Sequence, residues 1–441
     1  MKKILITLLA LTAFSVAGAH AQLYWNTNGV SGNWTDSNWG TSSDGPFTTA
    51  WSSGNNTFFT ANSAVTSRGA TTGNISVSSN AIVNFTLGNG SFGAGASVKT
   101  LNVGTGGILD FADITWSTSA GIGFIKEGQG IVKLSGVSGW GGGFTLNNGT
   151  VIIGGVNTFG GNATNTLTIN GGIIAAAGSR SLNGKLGGGI FINSDFQIGG
   201  VTTGVASGNG SATANISSNN TVSLGASSRT ITIGANGNYT FSGAVTGSPS
   251  AGLTVAAAPG ATGRLILDAA NTYTGATTVS SGTLSLGANG TLSSTSTLNV
   301  AAGATFDVKS KTSFTLGNAG MTIDVGAANA GKLDATGVAL TYAGALTLNI
   351  TSATPLASYD LFDFASETDS FASITLAGSG FSGPMTNSSD IWTATSAGYN
   401  FSFTEATGIL TTSLVPEPST WALIGLGGAF VLWRLRRKGN A

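Results

Sequence analysis

Two 25-residue stretches of this chain lie over one another without a gap, and that internal repeat restricts the fold more than any other feature. GIVKLSGVSGWGGGFTLNNGTVIIG starts at Gly130 and GRLILDAANTYTGATTVSSGTLSLG starts at Gly263. Gly130/Gly263, Leu134/Leu267, Gly142/Gly275, Thr145/Thr278, Gly149/Gly282, Thr150/Thr283 and Gly154/Gly287 are identical. Val132/Leu265, Leu146/Val279, Val151/Leu284 and Ile153/Leu286 are apolar in both copies. A strand-turn-strand unit with glycine at its corners cannot bury its apolar face alone. Stacked units bury one continuous core and pair each strand with the rungs above and below. The expected fold is therefore all-β, a right-handed parallel β-helix with Val, Ile and Leu inward and Ser, Thr and Asn outward. Gly275 and Gly282 would supply tight corners or positive φ.

The rest of the chain reads the same way. Alternating stretches such as Ile82-Val83-Asn84-Phe85-Thr86-Leu87 and Arg229-Thr230-Ile231-Thr232-Ile233 are punctuated by Asn147-Asn148-Gly149, Asn170-Gly171-Gly172 and Ala288-Asn289-Gly290. Period-two alternation bounded by Asn-Gly marks strands. Only Pro46, Pro249 and Pro259 fall between Gln22 and Ala353, which leaves long stretches of backbone free to donate in ladders. With 69 glycines the chain invites a disordered reading, but 41% hydrophobic and 8% charged residues argue for a packed structure. An open solenoid end is a sticky sheet edge and needs a cap. YWNTNGVSGNWTDSNWG, with Trp25, Trp34 and Trp39, would cap the first rung; those rings are also candidates for stacking on sugars. The expected divisions are residues 22–120 as cap and first rungs, 121–340 as the repeat-containing β-helix, and 341–413 as a terminal β subdomain richer in Phe, Tyr and Asp.

Several chemistries are excluded by residue type. Cysteine is absent, and the one histidine is His20, so Ser-His-Asp, Cys-His and the usual zinc sites cannot be built after it. No cofactor and no metal site is expected: calcium-loop motifs do not occur in the sequence. Setting aside both ends, which hold six of the 17 basic residues and one of the 17 acidic ones, leaves 11 basic and 16 acidic groups, no footprint for nucleic acid. Gly88-Asn89-Gly90-Ser91-Phe92-Gly93 has the form of a dinucleotide fingerprint but no helical pattern follows it. Asp110/Asp113 and Asp360/Asp363 are three apart, which places each pair on opposite faces of an extended strand. Only a bent chain would let either pair flank one glycosidic bond.

The two ends carry delivery signals. MKKILITLLALTAFSVAGAHAQ has Lys2 and Lys3, an apolar run from Ile4 to Val16, and Ala19-His20-Ala21 before Gln22, which is a signal peptide with its cleavage site, residues 1–21. At the other end, residues 414–441 hold Pro416-Glu417-Pro418, an uncharged run from Trp421 to Trp433, and the basic cluster Arg434, Arg436, Arg437 and Lys438. As a helix that run spans roughly 20 Å, a short transmembrane segment with its cationic end on the cytoplasmic side.

These residues resemble the PEP-CTERM sorting signal of double-membrane bacteria. The resemblance implies that Pro416, Glu417 and Pro418 are read by an exosortase-type processing enzyme, and that exopolysaccharide is a candidate partner. Asn271-Thr272-Tyr273-Thr274-Gly275 and the following T-x-V-x-x-G-T-L also resemble the autotransporter-associated β-strand repeat of secreted β-helical passengers; the earlier copy has Ser138-Gly139-Trp140 where the motif has Asn-Thr-Tyr. No β-barrel translocator pattern is recognised in the residues after these repeats. The chain reads as an exported, non-catalytic structural or adhesive β-helix of the cell surface or extracellular matrix, held transiently in the inner membrane by its C-terminal segment. The alternatives on the same fold are a carbohydrate-active enzyme, lyase or glycosidase, and a carbohydrate-binding adhesin.

Overall fold

A computed structural model describes residues 22–415, apart from 27–30, 53, 68–71, 88–97, 113–122, 136–140, 156–158, 160–163, 201–210, 212, 318 and 356–357. Ala19, Ala21, Asp113, the Gly88–Gly93 stretch, Ser138-Gly139-Trp140, Pro416-Glu417-Pro418, the C-terminal apolar run and its basic cluster lie outside the described residues. Among the described residues the structure is all-β: the one helical segment is a 3-10 turn at Glu405–Thr407, and no helix is long and apolar enough to cross a membrane. Two compact units are present, Met1–Val151 with Asn157–Asn162, and Ile152–Val156 with Ala163–Ala441.

In the first unit two parallel ladders alternate along the chain. Gln22–Trp25, Asn56–Phe59, Ile75–Val77, Lys99–Val103, Phe124–Glu127 and Phe144–Leu146 stack in one. Gly32–Asn33, Ser63–Ser67, Ile82–Leu87, Ile108–Phe111 and Ile131–Leu134 stack in the other. Successive rungs set Val65, Phe85, Phe111 and Leu134 in register as one inward column, all at most 2% exposed. At the start of this unit, Trp39 pairs antiparallel with Trp25, and the rings of Trp25, Trp34, Trp39 and Trp51 meet at centroid distances of 4.9–5.0 Å. Trp25, Trp34 and Trp39 are each no more than 1% exposed, sealed against Phe59 and Phe85.

The second unit has three parallel ladders per turn. The first runs through Thr166–Ile169, Gly189–Ile192, Val222–Ser223 and Val245–Thr246. The second extends from Ile173–Ala176 to Ser373–Ala377. Its inward column, Ile231, Val255, Val279, Val300, Ile323, Leu348 and Leu376, is in register throughout and at most 1% exposed. Each such side chain contributes roughly 1.5–3 kcal/mol of burial. The third ladder passes from Arg180–Ser181 through Arg264–Leu267, Thr283–Leu286, Thr305–Asp307 and Lys332–Thr341 to Phe362–Thr368. Within residues 341–413 the strands Ala345–Ile350, Phe362–Thr368 and Ser373–Ala377 continue the parallel ladders. Ser358–Asp360, Ile409–Leu414, Tyr399–Thr404, Ile391–Ser396 and Thr386–Ser388 form an antiparallel sheet.

The repeat has a physical reading in both copies. All the aligned apolar positions, Val132/Leu265 through Ile153/Leu286, are buried to 2% or less. Gly149 and Gly282 share φ of +70°, the left-handed corner that only glycine adopts freely. Gly275 is required for a different reason: a Cβ there would overlap the Ala251 carbonyl of the preceding rung and sit 2.6 Å from the Gly252 nitrogen.

Candidate functional site

The third ladder carries the one place where charged side chains gather in number among the described residues. Its register stacks Ser285, Asp307, Asp334 and Asp363 on successive rungs. Adjacent strands lie about 4.8 Å apart, so three like charges in one column repel unless cations intervene. Arg264 Nη1 reaches Asp307 at 3.0 Å, and Lys309 Nζ sits 4.0 Å from Asp307 while hydrogen-bonding Asp334. Lys332 Nζ holds both Asp360, at 2.6 Å, and Asp363, at 2.7 Å. Ser285 Oγ donates to Asp307 at 3.1 Å.

Charge compensation shows in the proton affinities. The hydrogen bond to Asp334 raises the Lys309 ammonium, against partial desolvation. Desolvation pulls Lys332 down, but its bonds to Asp360 and Asp363 outweigh it and leave the group raised. Desolvation likewise pushes Asp334 up, and Lys309 and Thr336 together bring it below its ordinary value. The meeting of Asp360 and Asp363 at one lysine is the bent-chain case and not the extended one. The strand Ser358–Asp360 ends before Leu361 and a new one starts at Phe362, so the chain bends between them and both carboxylates turn to one lysine. Asp110, by contrast, lies in the first unit, bonded to Lys133 at 3.1 Å.

Chemically, this column is an ion-paired ladder. Asp307 and Asp334 are 6% and 16% exposed at the side chain, and the carboxylates of the column are held by cations. No group of three or more His, Cys, Asp or Glu able to hold a metal occurs among the described residues. Sequence reasoning named Asp360 and Asp363 but missed Arg264, Asp307, Lys309, Lys332 and Asp334. The available signal was an aspartate at a strand's third or second position in Thr305-Phe306-Asp307, Lys332-Leu333-Asp334 and Phe362-Asp363, with the spacing between copies unequal.

The aromatic candidates for sugar stacking resolve differently. Trp25, Trp34 and Trp39 are packed on both faces and leave no ring surface for a glycan. Two further buried polar groups serve the frame. Lys126 Nζ, with the residue wholly buried, donates to the carbonyls of Glu127, Gly128 and Asn148 at 2.6, 2.7 and 3.3 Å. Glu405, also wholly buried, accepts from Ser370 Oγ at 2.9–3.0 Å and from the Phe371 N–H at 2.9 Å.

Residues 414–438 match the PEP-CTERM protein-sorting motif, and residues 124–153 and 262–286 match the passenger-associated-transport-repeat. The two repeat matches fall on the two aligned stretches. No curated protein and no solved structure matches the chain.

Proposed function

We propose that this chain is a non-catalytic structural or adhesive component of the outer surface or extracellular matrix, delivered through its C-terminal signal. The sorting-motif match at residues 414–438 supports export to the cell envelope and implies an exosortase as processing enzyme. The observation that supports the non-catalytic part is the ion-paired column: Asp307, Asp334, Asp360 and Asp363 are tied to Arg264, Lys309 and Lys332, so none of these four carboxylates stands free as acid or base. Pro416, Glu417 and Pro418 are the recognition residues of this reading. The apolar run and the cluster Arg434, Arg436, Arg437 and Lys438 hold the chain in the inner membrane until it is processed. Signal-peptide cleavage follows Ala19-His20-Ala21. Exopolysaccharide is the proposed matrix partner.

The deciding experiment is mass spectrometry of the mature C-terminus, on protein from membranes and from the medium. A terminus near Val415 to Pro418 is expected. An intact Ala441 confined to membranes would remove the matrix reading and leave a plain anchor. A carbohydrate-active enzyme is the second reading, favoured by the gathering of acids and bases on one ladder. Depolymerisation of a polysaccharide that is lost in Asp334→Asn would establish it.

A further inference from the structure

A cleft of about 440 Å³ lies beside an edge strand of the second unit, where the parallel pairing ends. On one wall, Thr291 spends its backbone on the preceding rung: its N–H donates to Ala269 and its carbonyl accepts from Asn271. Leu292, the next residue, lines the cleft but lies outside any strand. The other wall is the strand Ser313–Thr315, which pairs in parallel only with Lys332–Thr341. There Ala339 N–H donates to Thr312 O and Leu316 N–H donates to Thr341 O, which fixes the even-numbered residues on the paired side. Ser313 and Thr315 therefore turn their main-chain donors and acceptors to the cleft. The floor is apolar, formed by Leu298, Leu316 and Met321. Lys311 stands on the cleft wall. It donates to the Ala288 carbonyl at 3.3 Å, with no carboxylate in ion-pair range among the described residues.

We infer that this cleft is a binding slot for one extended peptide strand, with apolar residues at alternate positions and an acidic side chain toward Lys311. An open strand edge with main-chain donors and acceptors presents the hydrogen-bonding pattern that a polypeptide backbone completes, as in strand addition to a sheet edge. The apolar floor takes every second side chain, since strand side chains alternate between faces. Lys311 supplies charge complementarity: burial lowers the proton affinity of its amine and Asp268 offsets this only in part, so a closer acidic partner restores what desolvation costs. The inference stands independently of how the chain is delivered.

The test is hydrogen exchange read residue by residue on the full-length chain, with the blocked hexapeptide Glu-Thr-Leu-Thr-Val-Thr as probe. Without peptide, the amides of Ser313 and Thr315 exchange fast; with it, they slow by about tenfold or more. The same peptide N-methylated at alternate residues leaves them fast. Lys311→Glu weakens the probe by about tenfold, and a peptide headed by Lys in place of Glu recovers the loss, a charge swap that a misfolded variant would not show. Amides already slow in the free protein would overturn the slot. So would slowing by an oligogalacturonate and not by the peptide, which would assign the cleft to a glycan.

Discussion

At the scale of single residues, what matters most is whether a side chain has room and whether its charge has a partner. Gly275 has neither room nor tolerance, because the backbone of Ala251 and Gly252 occupies the place of a Cβ. Gly275→Ala should cost about 1–3 kcal/mol as overpacking against a backbone that cannot yield. Gly317, around which nothing lies within 4 Å, is the control, and its alanine variant should be neutral or more stable by up to about 1 kcal/mol. Denaturant midpoints of the two variants check this; equal losses would refute the close-approach explanation.

Lys126 makes a pH prediction. Burial lowers its amine to about 8. The unfolded chain keeps the proton up to its ordinary value near 10.5, so between pH 8 and 10.5 the unfolded state binds more protons than the folded one. Stability from this group therefore rises with pH across that window and is lost as pH falls through 8. Tyr239 acts in the other direction: burial pushes its phenol up to about 12, so its contribution is complete below about 10 and lost as pH rises through 12. Burial raises Tyr273 and Tyr342 as well. Unfolding midpoints across a pH series should climb from about 8 toward 10 and then fall. Lys126→Met should shrink the climb, leaving the part owed to Lys99 and Lys311, which burial also lowers, and keep the fall.

At the scale of one rung, the Asn-Thr-Tyr-Thr-Gly segment replaces a strand on the first ladder. Asn271 Oδ1 accepts the Val245 N–H at 2.9 Å, while its Nδ2 donates to the carbonyls of Ala269 and Thr291 at 2.9 and 2.8 Å. One buried amide thus joins the rung before to the rung after. Tyr273, wholly buried, fills the core and bonds Thr277 Oγ1 at 2.8 Å, which continues to Ser296 at 3.1 Å. Thr274 Oγ1 donates to the Pro249 carbonyl at 2.7 Å. Asn271→Ala leaves buried main-chain groups unsatisfied and should cost about 1–3 kcal/mol. Lys332→Ala breaks two ion pairs but in half-exposed surroundings, and should cost under about 1 kcal/mol. Urea denaturation of the two variants side by side decides the ranking. A larger loss for Lys332→Ala would mean that the charged column, and not the asparagine, holds adjacent turns together.

For the molecule taken whole, the ends of the stacks decide what is exposed. Trp34 touches Trp39, Trp51, Phe59 and Phe85, so Trp34→Ala should cost about 3–5 kcal/mol and loosen the first turns, read as faster amide exchange from Leu23 to Phe59. Unchanged stability with loss of binding on a sugar array would reverse the assignment. The all-β solenoid was legible in the sequence because its determinants are local. Alternation of period two, corner glycines such as Gly149 and Gly282 and apolar positions that recur 133 residues later belong to single rungs, and a rung can be read along the chain. The aspartate column and the open slot were not legible. Their partners come from rungs separated by unequal lengths of chain, 22 residues from Ser285 to Asp307, 27 to Asp334 and 29 to Asp363, so no fixed spacing marks them. Strand register settles which side chains meet, and register depends on how each connecting loop is folded. The sequence by itself determined that the chain stacks in rungs and carries a sorting motif at residues 414–438. Only the tertiary structure decided which charges neutralise one another, which tryptophans are sealed, and where a ladder is left open, because those depend on contacts across rungs whose lengths the sequence does not keep constant.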